Sequence, residues 1–68
     1  MAIGISVNGE KREIPEAMSV MDLLAHLEIE PGRVAVELNR EIARKQEWAT
    51  TPVEDGAELE IVHFVGGG

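Results

Sequence analysis

A chain of 68 residues without a single cysteine has to hold itself together by packing alone. At this length only about 60% of the unfolded surface can be buried, and domains this small usually lean on disulfides or a structural metal. No disulfide or thiolate zinc site can form here, and two histidines far apart in sequence, His26 and His63, make a poor ligand set. The 44% of apolar residues must therefore build one efficient core in one domain. That leaves little room for a cleft lined by catalytic groups. It favours a protein that other proteins bind over an enzyme in its own right.

Charge narrows the partners. Thirteen acids against six bases leave a net charge of −7. Nucleic-acid binding draws on clustered Lys and Arg that release phosphate counterions, and the only basic pairs are Lys11-Arg12 and Arg44-Lys45. Neither nucleic acid nor an anionic membrane surface is expected as a partner. The acids are spread along the chain and read as a solvated surface, one that can also steer docking to a basic protein. Met1 to Gly9 has neither a basic region nor a long apolar run, so no secretory signal is expected. No apolar stretch approaches the roughly 18 residues that span a bilayer. The expected location is the cytoplasm.

Periodicity then gives the elements. Ile3, Ile5 and Val7 alternate with Gly4 and Ser6, the period of a half-buried strand. Asn8-Gly9 is a strong hairpin signal, because both residues tolerate positive φ. Glu10 to Ile14 is the returning strand, polar enough for an edge, and Pro15 ends it. Ser19 is placed to cap a helix, with Asp22 three residues on. Val20, Leu23, Leu24 and Leu27 follow at helical spacing, with Asp22, Ala25 and His26 opposite, so the spacing predicts a helix over Val20 to Glu28.

Beyond Pro31-Gly32, Val34 to Leu38 is a central strand, Asn39-Arg40-Glu41 a turn, and Ile42 to Arg44 a short edge strand. Gln46 to Ala49 is a helical turn carrying the only Trp, read as a satellite of the core. Asp55-Gly56 punctuates a loop before a last strand from Leu59 to Val65. A hairpin, a crossover helix and two further long strands predict an α+β chain. One mixed sheet of four to five strands would carry one helix across it, with the first and last strands parallel neighbours at its centre. That is a β-grasp (ubiquitin-like) arrangement, spanning residues 1–65, followed by a glycine tail at 66–68.

Gly66, Gly67 and Gly68 add nothing to a core, and a run of glycine is also what a frayed end looks like. Two features point to chemistry instead. The tail leaves directly from an apolar strand, and its final group is a carboxylate. Three extended residues reach roughly 10 Å, and a segment without side chains can thread a narrow channel toward a bound nucleotide. Activated as an acyl-adenylate, such a carboxylate accepts sulfur or nitrogen nucleophiles. In a chain without cysteine, sulfur can be carried only as a thiocarboxylate and not as a persulfide.

Several segments together resemble a known family. They are Val36-Glu37-Leu38-Asn39-Arg40-Glu41-Ile42, Arg44-Lys45-Gln46-Glu47-Trp48, Glu54-Asp55-Gly56-Ala57-Glu58-Leu59-Glu60-Ile61-Val62 and Phe64-Val65-Gly66-Gly67-Gly68. With the Asn8-Gly9 hairpin and the Ser19-Val20-Met21-Asp22-Leu23-Leu24 helix start, they are similar to the ThiS family, the ubiquitin-like sulfur carriers of thiamine biosynthesis.

The resemblance implies that an E1-like adenylyltransferase (ThiF-like) uses ATP to adenylate the carboxylate of Gly68. Sulfur derived from a cysteine desulfurase converts it to a thiocarboxylate, and thiazole synthase (ThiG-like) takes that sulfur. Gly66 and Gly67 would thread the partner's active site. The carrier itself would bind no cofactor or metal and hold no catalytic residue. A small-subunit-like carrier for molybdopterin synthase and a ubiquitin-like protein modifier are the alternatives with related terminal chemistry. A plain acidic interaction module is the alternative without it.

On the last strand, alternation puts Leu59, Ile61 and His63 on one face and Glu60, Val62 and Phe64 on the other. Leu59 and Ile61 are expected in the core. Val62 and Phe64, with Val65 beside the tail, are expected to form the partner interface. His63 has no obvious orienting group and is not expected to act as a base.

Overall fold

The computed structural model describes residues 1–64. Its first two strands, β1 (Ile3–Val7) and β2 (Glu10–Ile14), form the expected hairpin. Asn8 and Gly9 both take positive φ, 52° and 83°, and so match the right-handed twist of the strands they join. The register pairs Ile3 with Ile14 and Val7 with Glu10. Alternation sends Ile5, Val7 and Ile14 into the core.

A two-residue strand, β3 (Met18–Ser19), leads into helix α1 (Val20–His26). Ser19 caps the helix as expected, its Oγ accepting from the Asp22 N–H at 3.0 Å. Val20, Leu23 and Leu24 are fully buried, while Asp22, Ala25 and His26 face outward. The helix ends two residues before the expected Glu28. Leu27 closes it, and Glu28 turns left-handed at φ 60°. The Glu28 N–H then reaches Ala25 O at 3.0 Å and the Ile29 N–H reaches Leu24 O at 2.8 Å. This is a Schellman ending, with Glu where Gly is usual.

Strand β4 (Val34–Leu38) turns through Asn39 and Arg40, again both at positive φ, into the edge strand β5 (Glu41–Ala43). The next turn is a 3-10 helix over Lys45–Glu47 rather than a turn over Gln46 to Ala49. It delivers Trp48 into the main core, not to a satellite of it. Trp48 is 1% exposed, and its indole N–H donates to Ala43 O at 2.8 Å, so the one polar atom of the ring is satisfied.

After Trp48, β6 (Pro52–Val53) pairs with β3 in a small second sheet that periodicity does not predict. Helix-end chemistry explains the pairing. The first N–H groups of a helix lack partners within it, and here Val20 N–H donates to Thr51 O and Met21 N–H to Trp48 O. The Trp48–Val53 segment is thus held against the start of α1.

The last strand is β7 (Glu58–His63), one residue longer at its start than the expected Leu59 and ended before Phe64, while the expected Val65 lies outside the described residues. The main sheet has the order β2-β1-β7-β4-β5. β1 runs parallel to β7 at its centre, and β4 runs antiparallel to β7 on the other side. Five strands with one α-helix across them make the β-grasp arrangement expected from the sequence.

Candidate functional site

β7 is the element from which the terminal segment departs, and it is fastened on both sides. Toward β1, the side-chain amide of Asn8 bridges Ile61: the Ile61 N–H donates to Asn8 Oδ1 at 2.8 Å, and Asn8 Nδ2 donates to Ile61 O at 3.2 Å. The Asn8 backbone N–H also reaches Leu59 O. Toward β4, Asn39 makes the matching clasp, accepting from the Glu58 N–H at 3.0 Å and donating its own N–H to Glu58 O at 2.7 Å. At the far end, the Phe64 N–H donates to Arg33 O at 2.9 Å. Each left-handed turn asparagine therefore does double duty, shaping its turn and gripping the central strand. The platform is fixed up to Phe64.

At the start of β7, the Asp55-Gly56 turn closes on β1. The Gly4 N–H donates to Asp55 Oδ1 at 2.8 Å, and the Gly56 N–H donates to Gly4 O at 2.7 Å. Ala57 is buried beside this turn, so it serves packing.

The faces of β7 divide as expected. Leu59 and Ile61 are buried under α1, whereas Val62 and Phe64 are 58% and 62% exposed. His63 is exposed, and among the described residues neither it nor His26 hydrogen-bonds to an orienting group. Val65, the remaining expected interface residue, lies outside the described residues, as do Gly66, Gly67 and Gly68.

Three neighbours on the face of Val62, namely Ala35, Glu37 and Ile42, escape sequence reasoning because they depend on strand order. Val62 lies opposite Ala35 of β4, and one step along the sheet Glu60 lies opposite Glu37, which in turn faces Ile42 of β5. Paired residues share a face, so Ile42, Glu37, Glu60, Ala35 and Val62 all stand on the side of the sheet away from α1. Ile42 is 79% exposed. The signal for it is its parity against Glu37, readable once β4 and β5 are taken as a hairpin.

Among the described residues of this face, none is a nucleophile paired with a base. The arrangement offers an exposed, partly apolar, acidic sheet face beside the exit of the central strand. Residues 5–68 match the family model described as the ThiS family, a span that runs through the terminal glycines. The chain belongs to the ThiS family. Sulfur carrier protein ThiS of Bacillus subtilis is 44% identical over 50 residues, which cover 74% of this chain and 76% of that protein. The crystal structure of thiamine biosynthesis protein ThiS from Geobacter metallireducens superposes with a TM-score of 0.86 at 33% identity, covering 97% of this chain and all of that one. A thiazole synthase of Paramagnetospirillum magneticum is 47% identical over 62 residues. That match covers 91% of this chain but spans only 19% of the synthase.

Proposed function

We propose that this ThiS-family chain is a sulfur carrier for thiazole formation in thiamine biosynthesis, and that the carboxylate of Gly68 carries the sulfur. The observation behind the reading is that the family match extends through Gly68 on a fold whose central strand is clasped up to Phe64. In the first step, a Gly68 carboxylate oxygen attacks the α-phosphorus of ATP on an E1-like, ThiF-like enzyme. Pyrophosphate leaves, and an acyl-adenylate forms. In the second, the outer sulfur of a persulfide charged by a cysteine desulfurase attacks the acyl carbon and AMP leaves; a thiol then reduces the resulting acyl disulfide, which releases the thiocarboxylate and leaves a disulfide on the sulfur donor. Glycine at the acyl carbon keeps the attack unhindered, and Gly66 and Gly67 let the segment thread a narrow channel.

A ThiG-like thiazole synthase is the proposed acceptor. A thiazole synthase whose own chain includes a segment 47% identical to this one supports that choice. ATP is consumed by the adenylating partner, and the carrier supplies only the acyl group and the surface that presents it.

The test is a variant lacking Gly67 and Gly68, expressed in cells that depend on this chain for thiazole. It is expected to fold as the parent does and to leave the cells dependent on added thiazole. Growth without thiazole would overturn the assignment of the terminus.

A further inference from the structure

We propose that Asn8 is a site of spontaneous deamidation, kept dormant by its own grip on Ile61, and that conversion there loosens the last strand of the sheet.

The chain holds two asparagines, Asn8 and Asn39, and only Asn8 precedes a glycine. In deamidation the backbone nitrogen of the next residue attacks the asparagine Cγ. Glycine leaves that nitrogen unshielded because it has no Cβ, whereas Arg40 shields the nitrogen after Asn39. Gly9 N loses its proton and bonds to Asn8 Cγ, the Cγ–Nδ2 bond breaks, and ammonia leaves with that proton. Water then opens the succinimide at either of its carbonyl carbons. One opening gives aspartate. The other gives isoaspartate, in which the main chain runs through Cβ and Cγ. Water is the only co-reactant.

Two features of the fold oppose the first step. Asn8 sits in the left-handed region at φ 52°. That conformation crowds Cβ against the carbonyl oxygen that follows it, so Gly9 N lies on the opposite side of the Cα–C bond, away from Cγ. The carboxamide is also held in place. Its Oδ1 accepts from the Ile61 N–H at 2.8 Å, and its Nδ2 donates to Ile61 O at 3.2 Å. Ring closure has to undo both the turn and the bridge. Asn8 is nevertheless exposed at the tip of a hairpin whose second strand, β2, is an edge of the sheet. Water reaches the site, and the turn opens without unpacking the core.

The product does not restore the bridge. An ionised aspartate has acceptors only, so an oxygen faces the Ile61 carbonyl where a donor stood. Isoaspartate lengthens the turn and spoils its match to the Val7–Glu10 pair. Either product costs β7 the Asn8 side-chain clasp. Asp55 also precedes a glycine, but a carboxylate resists nucleophilic attack, and the Gly56 N–H is already donated to Gly4 O at 2.7 Å.

The test ages the intact chain in warm, mildly alkaline buffer, once folded and once in concentrated urea. The peptide ending at Lys11 is mapped by mass spectrometry, and isoaspartate is counted with its methyltransferase. In urea Asn8 is expected to convert while Asn39 stays intact. In the folded chain the conversion of Asn8 is expected to be at least about tenfold slower, the protection that two hydrogen bonds confer. The converted chain, separated from the parent by its extra negative charge, is expected to unfold at lower urea. Asn8→Asp, which copies the simpler product, is expected to do the same. No conversion of Asn8 in urea, or equal conversion of Asn39, would overturn the site. Equal rates in the folded and unfolded chain would overturn the dormancy. A converted chain with the parent's urea midpoint would overturn the consequence for β7. That comparison uses aged parent material, so it stands whether or not Asn8→Asp folds.

Discussion

Glu28 holds the left-handed backbone region at φ 60° with a full side chain, because the Schellman ending of α1 needs that conformation and the sequence does not supply glycine there. A non-glycine residue in this region costs about 1–2 kcal/mol, partly offset by the greater freedom glycine has when unfolded. Glu28→Gly is therefore expected to stabilise the fold by about 0.5–1 kcal/mol, read as a higher urea midpoint at unchanged m-value; a lower midpoint would contradict this origin of the helix end. Asn8 presents the opposite case. Its left-handed turn is legible because Asn-Gly is a strong local signal, but its amide bridge to Ile61 is not, since that partner lies 53 positions away. Asn8→Ala removes both side-chain bonds and leaves a Cβ residue at positive φ. Destabilisation by about 2 kcal/mol is expected, measured by the same denaturant titration against Asn8→Gly, which restores the turn and not the bridge.

At the level of elements, legibility follows the range of the cause. The hairpin, the helix face and the inward residues of β7 rest on alternation or 3.6-residue spacing, so residues within one turn or strand specify them. β3 and β6 rest on unpaired N–H groups at the start of α1 seeking carbonyls of Thr51 and Trp48, and no local pattern encodes that. Periodicity carries β7 past its end at His63 because Phe64 continues the apolar run of the strand, while the pairing with β4 stops where Val34 meets His63. For the site, Val62 and Phe64 can be placed from parity alone, whereas Ile42 requires the strand order. Phe64 is 62% exposed, so Phe64→Ala should change folding stability by no more than about 0.5 kcal/mol. Its KM for adenylation should rise several-fold. Equal losses in the melting and adenylation assays would show that Phe64 serves packing rather than docking.

For the whole molecule, the governing fact is a small core without a covalent staple. Trp48 is its largest fully buried side chain, and truncating a buried aromatic costs about 3–5 kcal/mol, a large share of the roughly 5–15 kcal/mol that holds a domain together. Trp48→Ala is expected to leave much of the chain unfolded at 37 °C by circular dichroism, whereas Phe64→Ala folds normally. One side of the sheet is committed to stability under α1, and the other is exposed at Ile42 and Val62. The proposed function places the sulfur on the carboxylate of Gly68. The most direct measurement incubates the carrier with ATP, its adenylating enzyme and a desulfurase-derived sulfur source, treats it with a thiol-selective alkylating reagent, and sequences the labelled peptide by mass spectrometry. In a chain without cysteine, an ATP-dependent label on Gly68 is expected. A fully charged reaction with no label there, or a label independent of ATP, would contradict the role of the terminus as sulfur carrier.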